Sequence, residues 1–107
     1  MNNLLKAVLT TAMVLAVSTT VASADVAKGQ KLFTKKLKSP CGISGAAMAG
    51  KHTQDEWDEI NAAGKMSDEI KTICPSVKDN AIKSKYINHY FDFFKEYASD
   101  SGNVPSC

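Results

Sequence analysis

Apolar residues recur at helical spacing in four stretches of this chain, with small, polar or proline residues between them. The first runs from about Asp25 to Lys38. Val26, Gly29, Leu32, Phe33 and Leu37 fall on one side and lysines on the other, the pattern of an amphipathic helix. Pro40 and Gly42 are its expected stop. Gly29 inside a helix costs about 1 kcal/mol relative to Ala, which suits a place where a second helix approaches closely. The run Gly-Ile-Ser-Gly-Ala-Ala-Met-Ala-Gly-Lys at 42–51 is rich in small residues and predicts a compact loop.

The second helix has a clear start. Thr53 followed by Glu56 three residues on fits a capping box. Trp57, Ile60 and Ala63 form its apolar stripe, and Gly64 ends it. Ser67 is the expected cap of a short third helix from Asp68 to about Ile73. Its acids in the first turn suit the helix dipole, and Cys74-Pro75 closes it. The fourth helix, about Asp79 to Ser99, holds six of the eight aromatics: Tyr86, Tyr90, Phe91, Phe93, Phe94 and Tyr97. Ile82, Tyr86, Tyr90, Phe93 and Tyr97 make one stripe, while Ile87, Phe91, Phe94 and Ala98 make another. Two stripes predict packing on two sides, so this helix is the expected centre of an all-α fold. The tail after it ends in Cys107 behind a turn containing Pro105.

Residues 1–24 read as a targeting signal. Lys6 and the free amine give a positive start, Ala7 to Val17 is apolar, and Ala22-Ser23-Ala24 is an Ala-x-Ala cleavage site. The apolar run falls short of the ~20 residues that span a bilayer. The expectation is export to a periplasm, with no stable membrane anchor after cleavage. Removing 24 of 107 residues leaves a domain of 83, residues 25–107. A domain this small buries little apolar area and calls for a staple. Of the 13 basic residues only Lys6 lies in the signal, so 12 lysines face 11 acids. A net charge of +1 is no nucleic-acid footprint. The cluster Lys28, Lys31, Lys35, Lys36 and Lys38 reads first as a solvated helix face. The alternative is a docking patch for an acidic redox partner.

Cys41, Cys74 and Cys107 all fall in the exported part, where disulfides persist. Three cysteines make one pair and one odd thiol the default. No two have Cys-x-x-Cys spacing, so neither a thioredoxin-type motif nor a zinc knuckle is supported. The chain has no Ser/His/Asp order, paired-carboxylate signature, phosphate loop or His-x-x-x-His pair, and nothing points to an enzyme. His52 lies ahead of the helix cap and is expected to be exposed. His89 lies between the aromatic stripes and is expected to be a surface or satisfied helix residue.

The segment Gly29-Gln30-Lys31-Leu32-Phe33 to Cys41-Gly42 resembles the opening of a class I cytochrome c domain. There a Gly-x-x-Leu-Phe helix leads into Cys-x-x-Cys-His-Gly. Gly29, Leu32 and Phe33 match the helix half. The haem half departs: aligned without gaps, its two cysteines fall on Leu37 and Pro40, and its iron-binding histidine falls on Cys41. His52-Thr53-Gln54-Asp55-Glu56-Trp57 is similar to the middle-helix start of many small cytochrome c domains. Cys74-Pro75 stands near where that family places an axial Met-Pro.

This resemblance implies a small cytochrome c-like bundle of about four helices with the N- and C-terminal helices crossing, in an electron-transport context. It leaves no attachment run for covalent haem. A non-covalent haem stays open, with a Cys41 thiolate on the iron and Met48, Met66, His52 or Cys74 opposite. Against it stands a disulfide between Cys41 and Cys74, the two former axial positions. Closing that loop would contribute roughly 3.5–4 kcal/mol on a chain-entropy estimate. Pairing Cys107 with either of them is the rival arrangement. The functional expectation is a haem-free, disulfide-stapled accessory subunit or partner of a periplasmic redox protein. The alternatives are a haem carrier ligated through Cys41 and a thiol-based redox or structural interaction module.

Overall fold

The computed structural model describes residues 26–107. The signal-peptide and cleavage-site expectations lie outside the described residues, within which all regular structure is helical. Five helices follow one another: α1 over residues 26–41, α2 over Gly45–Ala49, α3 over Gln54–Ala62, α4 over Met66–Ile73 and α5 over Ser84–Glu96. A 3-10 turn, Asp79–Ala81, precedes α5. No helix among the described residues is long and apolar enough to cross a membrane.

The core gathers around α5, as the two aromatic stripes predict. Tyr90, Phe93 and Phe94 are fully buried on it, and Phe33, Leu37, Met48, Trp57 and Ile70 are buried against them from the other helices. Trp57 packs on Phe94 at 4.8 Å between ring centroids and Phe33 on Phe93 at 5.7 Å. Each such apolar side chain contributes about 1.5–3 kcal/mol by leaving water. The polar tips of this core are satisfied. Trp57 Nε1 donates to the Ala49 carbonyl at 2.9 Å, and the Tyr90 hydroxyl donates to the Ala81 carbonyl at 2.7 Å. Burial also pushes the Tyr90 hydroxyl pKa up.

The first and last helices cross, and Gly29 is the contact. A Cβ there would collide with the His89 carbonyl and lie 2.8 Å from Phe93 Cβ. The glycine therefore gives up helix propensity so that the two backbones can touch.

α1 also contains a wide π-helical turn, Phe33–Leu37, in which Lys38 N–H donates to the Phe33 carbonyl five residues back. This turn explains how one face serves the whole helix. A regular α-helix turns about 100° per residue, which would leave Cys41 about 120° around from Gly29. Taking up one extra residue in a π turn cuts that offset to about 20°. Gly29, Phe33 and Leu37 are consequently all buried, and Cys41 reaches the core edge on the same side. The helix runs through Pro40 to Cys41, beyond the expected end at Lys38, and stops at Gly42 with φ 67°. The wide turn lies just ahead of Pro40, where a proline ring would crowd the carbonyl four residues back.

Three other boundaries differ from the sequence reading. The small-residue stretch is no simple loop: Ser44 caps α2 by accepting from Ala47 N–H at 3.1 Å. The third predicted helix starts at Met66 rather than Asp68, with Ser67 inside it and no side-chain cap. Burying Met66 at 1% exposure draws the start of the helix back. The last helix does not begin at Asp79. The chain breaks at Lys83, where ψ is 151°, so Ile82 is buried from the turn rather than from the helix. The Thr53 capping box forms as expected, with Glu56 N–H donating to Thr53 Oγ1 at 3.2 Å and Thr53 N–H donating to Glu56 Oε1 at 2.8 Å.

Candidate functional site

α1 and α4 converge at their C-terminal ends. The aligned face of α1 presents Cys41, and α4 ends at Cys74 where Pro75 forbids another turn. The two sulfurs are bonded across 33 residues of sequence, with Cα atoms 4.9 Å apart. Cys74 is 3% exposed and belongs to the core, while Cys41 packs half-buried against it. The bridge thus ties the first helix to the fourth at the edge of the apolar core.

Cys107 is the free thiol. Its tail is nevertheless pinned. Gly45 N–H donates to the Cys107 carbonyl at 3.1 Å, Gln30 Nε2 donates to Ser106 Oγ at 2.9 Å, and Pro105 is buried. A Cβ on Gly45 would lie 2.6 Å from Cys107 Sγ and 2.8 Å from Phe93 Cζ, so the missing side chain makes room for the terminal thiol. The tail is thus held against the body, although no disulfide does the pinning.

Met48 and Met66 are buried in the core at 0% and 1% exposure, beside the aromatic cluster. Ligation through Cys41 requires a thiolate, and the bridged sulfur carries none. The donor set as bonded here does not fit an axially ligated iron.

His52 is not the exposed residue that the sequence suggested. Its ring lies 2.9 Å from Glu69 Oε2 and 3.7 Å from Glu56 Oε1, and it meets the Trp57 ring edge-on at 4.8 Å. Its carbonyl accepts from Ser99 N–H at 3.0 Å, so one histidine joins the start of α3, α4 and the segment after α5. Its pairing with Glu69, 17 residues away, has no local sequence signal. His89 also departs from expectation: Nδ1 is buried without a partner among the described residues. No three His, Cys, Asp or Glu side chains among the described residues cluster as a metal centre requires.

Charge is distributed unevenly. Residues 26–53 carry Lys28, Lys31, Lys35, Lys36, Lys38 and Lys51 and no acid, while Asp55, Glu56, Asp58, Glu59, Asp68 and Glu69 lie on α3 and α4. Lys28, Lys31, Lys35 and Lys38 are exposed, and Lys36 lies half-buried with Nζ 5.0 Å from the centre of the Tyr86 ring. Comparison of the chain with protein-family models, with curated proteins and with solved structures finds no match.

Proposed function

We propose that this chain is a small exported accessory protein of a periplasmic electron-transport system, one that docks a redox partner and works without covalently attached haem. The observation that carries the reading is the Cys41–Cys74 bond. It joins the two positions that the cytochrome c resemblance gives to the axial iron ligands, so the strap that iron would provide is replaced by sulfur. A retained Gly29 crossing and a buried Trp57 behind a capped helix support the same ancestry. An acid-free basic helix offers the surface for docking, and fold alone assigns no activity. The test is isolation of the tagged chain from a periplasmic fraction after mild crosslinking, with haem staining and metal analysis of what accompanies it. A haem or metal redox protein in near-stoichiometric amount is expected; recovery of none overturns the proposal.

A second reading, a thiol-based redox module, draws on the unpaired Cys107. Thiol counting before and after mild reduction separates the two. A Cys107 that stays inert to alkylation until the tail is released removes it. The haem-carrier alternative requires the bridge to open.

A further inference from the structure

The bridge does more than hold two helices together, because a groove of about 270 Å³ runs beside it. One wall is the end of α1, with Lys36, Ser39 and Pro40. The other is the segment after α4, with Ser76, Lys78 and Asn80. Cys41 directly follows the first wall and Cys74 lies two residues before the second. The disulfide therefore joins the two segments that form the groove's walls.

The chemistry of the walls is one-sided. Lys36, Lys78, Ser39, Ser76 and Asn80 are among the groove's lining residues, and none of the lining residues is acidic. No hydrogen bond or ion pair among the described residues engages the side chains of Ser39, Ser76, Lys78 or Asn80. Asp79, the acid that stands between Lys78 and Asn80, is taken up by Lys71 at 2.8 Å. That hydrogen bond holds the Asp79 carboxyl below its ordinary range. Beyond the groove, Lys36 and Lys85 lie 5.0 and 5.2 Å from the centre of the same Tyr86 ring, which favours the placement of cations. Two lysines thus stand at the groove, and the acid next to Lys78 in the chain is paired with Lys71. Such an array of donors matches an acceptor-only group.

We propose that this groove seats a carboxylate side chain presented by an acidic partner protein, and that the disulfide holds the seat in shape. The inference rests on the docking reading above and names the partner's chemistry. The basic stripe Lys28–Lys31–Lys35 speeds encounter with such a surface, whereas the groove fixes where it lands.

The experiment uses the oxidised chain, observed by amide chemical shifts, titrated with a Glu-rich hexapeptide at low and high salt. Parallel titrations use inorganic phosphate and vesicles containing anionic lipid. The expected result is saturable peptide binding that shifts the amides of Ser39, Ser76 and Asn80 and weakens as salt rises. Lys36→Gln with Lys78→Gln should weaken the peptide about fivefold, as loss of two exposed charge contacts implies. Lys28→Gln with Lys31→Gln should leave those groove shifts in place. Peptide shifts elsewhere, equal loss with both lysine pairs, or binding of phosphate or vesicles without the peptide each overturn the proposal. The two readings fail separately. Groove binding of the peptide with no redox protein isolated removes the redox context alone. A redox protein retained equally by the Lys36/Lys78 variant removes the groove alone.

Discussion

Replacing Cys41 and Cys74 together by alanine measures how much the bridge contributes. Alanine is the right substitute because Cys74 is 3% exposed, and serine would bury a hydroxyl there. The loop closed by the bridge has a sequence separation of 33. On the chain-entropy relation, opening it costs about 3.7 kcal/mol at 25 °C. A domain of this length has a total stability of roughly 4–12 kcal/mol, so the variant loses between a third and nearly all of it. With an unfolding entropy of about 2.1 cal/mol/K per residue, the same loss lowers Tm by about 20 °C. Trp57 is the single tryptophan and is fully buried, so its emission reports the transition directly. Urea melts should show the midpoint falling by about 3.7 M at an m-value near 1 kcal/mol/M. Cys107→Ala, which breaks no bond between sulfurs, should stay far closer to the parent. A double-alanine variant within 1 kcal/mol of the parent would refute the reasoning, because the core would then place α1 and α4 without the bond.

Three further outcomes follow from the packing and the caps. Gly29→Ala should destabilise by about 1–2 kcal/mol although alanine favours helix by about 1 kcal/mol, because the new methyl meets the His89 backbone and overpacking dominates; a stabilised variant in the same urea melt would remove the helix crossing. Deleting exposed Lys35 from the π turn should be tolerated, with the bridge still formed by thiol count. The shortened α1 becomes a regular helix and keeps Gly29 and Cys41 on one face, so a free pair of thiols would contradict the register account. Stability should decline as pH falls through the carboxylate range below about 4.5. Glu56, held below its ordinary value chiefly by the Thr53 backbone N–H, and Asp79, held down by Lys71, stabilise only while ionised. Thr53→Ala should cost about 1 kcal/mol, and Glu56→Gln should flatten the acid limb of a pH-dependent melt.

What the chain reveals on reading tracks how local the cause is. The Thr53 capping box and the aromatic faces of α5 are set by residues three or four apart, and both form as expected. α2 was hidden because its alanines and glycines read as loop, yet Ser44 before Gly-Ala-Ala-Met was a usable cap signal. The break at Lys83 was masked by Ile82, whose spacing continues the helical stripe while the backbone leaves the helix. The freed Ala81 carbonyl finds its donor in Tyr90, nine residues on. The π turn has no local signature at all. It answers two distant demands, that Gly29 face His89 and Cys41 face Cys74. The bridge-side groove was equally unreadable, since its walls lie some 40 residues apart in the chain.

We propose that the Cys41–Cys74 bond stands where iron would in the domains that this chain resembles. An absorbance spectrum of the protein isolated from its native source without reductant, followed by mass measurement after alkylation, tests it most directly. No Soret band, a Cys41–Cys74 bond and a single thiol, at Cys107, alkylated only after denaturation are expected. A Soret band with haem in one-to-one amount and Cys41 unbridged would contradict it.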